Sequence, residues 1–116
     1  MWTVITTEAF DRWFTSQDEP AQEKVLAALV MLERSGPNLS RPFVDSLKGS
    51  LYPNMKELRI QHRGRPIRAF FAFDPKRKAI VLCAGDKTGN EKRFYKVMLP
   101  IADAQFTQHL NLNFEE

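Results

Sequence analysis

Three short segments follow one another in the middle of the chain, MKELRI, PIRAFFAF and AIVLCA, and each alternates apolar with polar or small residues or is apolar throughout. The stretches between them, QHRGR and DPKRK, are rich in turn-forming residues. Runs of this length and composition, bounded by such connections, are predicted to form an antiparallel meander of strands. Side chains alternate between the faces of a strand, so the pattern also assigns sides. Ile67, Ala69, Phe71 and Phe73 share one face, and Arg68, Phe70 and Ala72 the other. In the preceding segment Leu58 and Ile60 share a side with Lys56, while Glu57 and Arg59 point the opposite way. One face is expected to meet helices and the other to present Arg59 and Arg68.

The flanks supply those helices. WTVIT alternates and is β-branched, which predicts a first strand from Trp2 to Thr6. Thr7 is a suitable N-cap, Glu8 suits the positive end of the helix dipole, and Phe10, Trp13 and Phe14 fall on one helical face. A second helix takes Pro20 in its first turn, carries Val25, Leu29 and Leu32 as a stripe with Leu26 and Val30 beside it, and stops at Gly36. NLSRPFVDSLKGSLYPN reads as an irregular connection. From Asn90 the apolar spacing is helical again, with Pro100 expected to break or restart the run. Residues 1–110 are thus expected to form a single α+β domain of order β-α-α-β-β-β-α, with 111–116 as a loose tail. His62, in a turn, and His109, near a helix end, are expected at the surface.

Charge is distributed unevenly. Residues 1–55 carry five Lys/Arg against seven Asp/Glu, residues 56–96 twelve against four, and residues 97–116 none against three. The middle third is therefore strongly basic, as suits a polyanion such as nucleic acid or an acidic protein partner. Four of its cations, with a tyrosine, lie in GDKTGNEKRFYK directly after the last strand segment. The apolar runs are too short to span a bilayer, and the start lacks the features of a secretory signal, so a cytoplasmic protein is expected. The single Cys83 has no intrachain partner and sits in an apolar run, as a buried hydrophobe does.

With this order of elements, the sequence resembles the RelE/ParE toxin superfamily, and within it the HigB-like, phage-derived branch. LYPNMKELRI matches that branch's strand ending in Glu-Leu-Arg, IRAFFAF its strand of arginine followed by apolar residues, and AIVLCAGDKTG its last strand running into a lysine-bearing loop. Where the branch often carries paired lysines, this chain has Lys87, followed by Lys92 and Arg93. The resemblance implies a RelE-like fold and a type II toxin that cleaves mRNA on the ribosome. It also implies silencing by a cognate antitoxin, often one with a helix-turn-helix domain.

Such cleavage, by attack of a 2′-OH on the adjacent phosphate, needs a base, an acid and positive charge at the phosphoryl centre, but no metal or other cofactor. Arg59 and Arg68 have the planar, permanently charged fork that suits a phosphate. Lys87, among other cations, is a candidate base, since like charges disfavour the ammonium form. Tyr95 is a candidate for stacking on a base or donating a proton. Between these roles the residue types do not decide. Arg59, Arg68, Lys87 and Tyr95 are the catalytic candidates, and Lys56, Lys92, Arg93 and Lys96 the RNA-binding ones. Each has a structural alternative: an ion pair with Glu57 for Arg59, a stem laid along Phe70 for Arg68, a core position for Tyr95. Two rival functions stand beside the nuclease: a ParE-like inhibitor of DNA gyrase, and a non-catalytic basic binding module.

Overall fold

The computed structural model describes residues 1–114. In chain order the elements are β1 (Val4–Thr6), α1 (Glu8–Thr15), α2 (Glu19–Ser35), a single 3-10 turn (Gly36–Asn38), β2 (Val44–Ser46), β3 (Lys56–His62), β4 (Arg65–Phe73), β5 (Ala79–Asp86) and α3 (Glu91–Phe114). The strands form one five-stranded sheet of order β1-β5-β4-β3-β2. β1 runs parallel to β5, and every other pair is antiparallel.

The local signals act where they were read. The Thr7 hydroxyl accepts the Phe10 amide at 3.1 Å, and the Asp18 carboxylate accepts the Ala21 amide at 2.9 Å, so two of the unpaired donors that begin α1 and α2 are satisfied. Gly36 ends α2 with φ of 54°. A side chain there would be strained, and its Cβ would also fall 2.4 Å from the Trp2 indole, so the position requires glycine twice over.

Each face of the sheet carries its own core. Phe10, Val25 and Leu32 from the helical hairpin pack against Leu58, Ile60, Ile67, Ala69, Phe71 and Val81. On the reverse face Phe70, Ala72, Ile80, Leu82 and Cys83 meet Ala102 and Phe106 of α3. Phe70 pairs with Cys83 but Phe71 with Val81, so Leu82 is an extra residue in β5. This bulge turns Leu82 and Cys83 to the same side.

Four expectations need correction. Val44–Ser46, placed in an irregular connection, is a strand, because it pairs with Lys56–Leu58 along the edge of the meander. α3 passes through Pro100 unbroken. Pro100 and Lys96, whose carbonyl loses its amide partner, are both exposed residues, where a lost helical bond is least costly. Residues 111–114 of the expected tail belong to α3, and 115–116 lie outside the described residues. His62 is buried on the α2 side, and His109 is largely buried against Asp74, with Nε2 at 2.9 Å from its carboxylate. Among the described residues no helix is long and apolar enough to cross a membrane.

Candidate active site

The register of β3 and β4 sets Arg59 directly opposite Arg68, on the face that α3 covers only in part. Two like charges across a strand pair destabilise it unless something lies between them. Here that group is Glu57, two residues before Arg59 and therefore on the same face. It is 2% exposed. Its Oε2 accepts the Arg59 Nε at 3.0 Å, and its Oε1 accepts the Tyr95 hydroxyl at 2.5 Å.

The two arginines are held differently. Arg59 also donates from Nη2 to Asp45 on β2 at 3.0 Å, and Asp45 in turn accepts two bonds from Arg41. The bond to Glu57 outweighs burial and holds the Arg59 guanidinium above its usual range. Arg68 is 8% exposed, and its Nη1 donates to the Ile67 carbonyl at 3.0 Å. Its Nε lies 3.9 Å from Glu57 Oε1, too far for a hydrogen bond, and has no other partner.

The loop after β5 completes the group. The Lys87 amide donates to the Pro66 carbonyl at 3.0 Å, which ties this loop to the start of β4. Lys87 Nζ donates to Glu91 at 2.6 Å and lies 5.6 Å from the centre of the Tyr95 ring. The bond from Lys87 holds the Glu91 carboxyl below its usual range, with smaller help from Arg68 and Arg59. Tyr95 stacks on Phe70 at 5.8 Å. Gly85 lets α3 come this close, since a Cβ there would stand 3.0 Å from the Phe94 ring. Burial, and then the bond to Glu57, push the Tyr95 hydroxyl far above the ordinary tyrosine value, so it keeps its proton at neutral pH.

Four candidates from the sequence, Arg59, Arg68, Lys87 and Tyr95, therefore lie around one buried carboxylate. Lys92, Arg93 and Lys96 lie on the exposed surface of the first turns of α3, and among the described residues none forms an ion pair. Lys56 is on the opposite sheet face, with Leu58 and Ile60, and does not join the group. Glu57, Asp45 and Glu91 were not among the candidates. For Glu57 the signal was present, because the Glu-Leu-Arg alternation puts residues 57 and 59 on one side.

A helical hairpin against one face of such a sheet, a C-terminal helix across the other and a cationic group where that helix begins define a RelE-like fold. The solved structure of a double arginine-to-alanine mutant of the E. coli toxin RelE, in the free state, matches with a TM-score of 0.57 at 14% identity. The match covers 84% of this chain and 95% of that one, and at that identity it is a likeness of fold. The chain belongs to the family Phage derived protein Gp49-like (DUF891), matched over residues 12–107. It is 48% identical over 100 residues to the candidate toxin HigB3 of Mycobacterium tuberculosis (strain ATCC 25618 / H37Rv), covering 86% of each chain. To the candidate toxin HigB2 of the same strain it is 43% identical over 110 residues, which are 94% of this chain and 54% of that longer relative. The fold and the phage-derived, HigB-like kinship expected from the sequence are both met.

Proposed function

We propose that the protein is the toxin of a type II toxin-antitoxin pair and that it cuts mRNA on the ribosome, in the cytoplasm, without a metal. The observation that carries this reading is the gathering of Arg68, Lys87 and Tyr95 beside the buried Glu57 carboxylate, which sets permanent positive charge next to groups that can move a proton. A phosphate oxygen is the acceptor that a planar guanidinium matches best. The RelE-like fold and the two relatives described as candidate toxins support the same reading.

The chemistry follows from how the protons are held. The 2′-oxygen attacks phosphorus, the bond from phosphorus to the 5′-oxygen breaks, and a 2′,3′-cyclic phosphate and a 5′-hydroxyl result. Tyr95 is not a free phenolate, so it takes the 2′-OH proton only while passing its own to Glu57 Oε1. The Lys87 ammonium donates to the leaving 5′-oxygen, and Arg68 neutralises the charge that grows on the phosphoryl oxygens. Arg59 supports the site by fixing Glu57.

Single-turnover cleavage of ribosome-bound mRNA tests this assignment. Arg68→Ala and Tyr95→Phe are each expected to slow cleavage by roughly 10²–10³-fold while ribosome binding changes little. Products ending in a 3′-hydroxyl, or full activity without Arg68, would overturn the mechanism. Early DNA damage with intact mRNA would point to gyrase instead.

A further inference from the structure

At the end of the meander remote from this site, the β4–β5 turn carries Lys76, Arg77 and Lys78 in succession. Its backbone is fixed. Asp74 Oδ1 accepts the amides of Lys76 and Lys78, both at 2.9 Å, and Asp74 Oδ2 is held by His109 of α3. Arg77 adopts φ of 64°, a left-handed conformation uncommon for a non-glycine residue.

Two of the three side chains lie against aromatic rings. The Arg77 guanidinium lies 4.6 Å from the Trp2 ring centre, and Lys76 Nζ lies 5.4 Å from that of Phe114. Trp2 is itself wedged against Gly36 and edge-on to Phe73, so it is a fixed platform. Among the described residues none of the three cations forms an ion pair. They border an open cleft of about 370 Å³ together with Met1, Trp2 and Thr3. The contrast with Arg59 and Lys87 is direct: each of those is neutralised by a carboxylate, whereas here no carboxylate among the described residues pairs with the three side chains.

We infer that this turn is a second contact for the RNA backbone, binding phosphates of the strand outside the cleaved step. Rigid cations beside an aromatic platform suit a phosphodiester chain, because little side-chain freedom is lost on binding and each phosphate held releases counterions. From Arg68 to Phe73 at the end of β4 is roughly 17 Å at the usual strand rise, a distance that one RNA strand passing round the edge of α3 can span. The inference rests on the nuclease reading only in taking RNA as the polyanion.

The test is binding without chemistry. A single-stranded 2′-O-methyl RNA of 20 nucleotides, which offers no attacking hydroxyl, is titrated against the full chain and a Lys76→Gln/Arg77→Gln/Lys78→Gln variant across a salt series. The variant keeps the backbone amides that Asp74 holds, and its melting temperature checks the fold. Its affinity is expected to fall about tenfold near 0.1 M salt, with a salt slope shallower by about two, as the loss of three single-strand phosphate contacts requires. A variant with Lys24→Gln, Arg34→Gln and Lys48→Gln removes as many cations elsewhere and is expected to keep most of the affinity. Equal losses from both variants, or an unchanged slope in the first, would overturn the inference. So would intact RNA binding with lost binding to a poly-glutamate peptide, which would assign the turn to an acidic protein. The control on the nuclease reading is Arg68→Ala: undiminished cleavage would overturn the active site and leave a salt-dependent loss at the turn standing.

Discussion

At the scale of single residues, Arg59 and Arg68 look equivalent in sequence and are held in opposite ways. Arg59 bonds two carboxylates, Glu57 and Asp45, whereas Arg68 bonds only the Ile67 carbonyl. Arg59→Ala is therefore expected to lower stability by about 2 kcal/mol, the size of a lost hydrogen bond to a charged group, reduced where solvent screens the partly exposed side chain. Arg68→Ala should cost less stability and far more activity. Thermal melting and single-turnover cleavage on the same two variants separate the roles, and a matched loss in both assays for Arg68 would make that arginine structural. Tyr95 provides a signature in pH. Its hydroxyl ionises at higher pH folded than unfolded, so its contribution is whole below the ordinary tyrosine value near 10 and is lost as pH rises beyond it. Tyr95→Phe should flatten the alkaline fall in unfolding free energy measured by urea titration. Period-two alternation made the two arginines legible in the sequence. The centrality of Glu57 was not, because cross-strand register decides which groups face each other, and Asp45 lay in a segment read as loop. Lys56 is a different case: alternation had already placed it with Leu58 and Ile60, and its basic character alone made it a candidate.

At the scale of elements, the meander was legible because its strands are apolar and its connections short, and the helical hairpin because its caps and stop are local. β2 was not, since three residues following Pro42 carry no alternation, and only pairing with β3 makes them a strand. The path of α3 through Pro100 was hidden for a related reason. Local propensity opposes it, and the packing of Met98, Ala102 and Phe106 on the sheet prevails. Gly85 connects this packing to the site. A Gly85→Ala methyl would press the Phe94 ring, one residue from Tyr95, and such overpacking costs about 1–3 kcal/mol. Cleavage should then fall by more than the melting temperature accounts for, because the Tyr95 hydroxyl is displaced from Glu57. A Gly85→Ala enzyme as active as the parent would show that α3 can shift without disturbing the site.

For the molecule as a whole, the excess of positive charge in residues 56–96 is not the field of the active site. Arg59, Arg65 and Lys87 are paired with carboxylates, Lys56, Arg63 and Arg68 stand singly, and the clustered uncompensated charge lies in two groups, at the β4–β5 turn and on the first turns of α3. The second group fits a protein partner better than the first does. Arg93, exposed Val97 and exposed Ile101 follow one another at four-residue spacing along α3, beside Lys92 and Lys96, so cations border an apolar ridge. A cognate antitoxin that silences this protein is expected to lay an acidic, amphipathic segment on that ridge, next to Tyr95 and Lys87, where it also keeps phosphate out of the site. Arg93→Glu with Lys96→Glu should weaken the toxin-antitoxin complex at least tenfold at low salt, with the gap narrowing as salt rises, because exposed charges are screened. Val97→Asp should weaken it at every salt concentration. Calorimetric titration of the two purified proteins measures both, and unchanged affinity in the two variants would place the antitoxin elsewhere on the molecule.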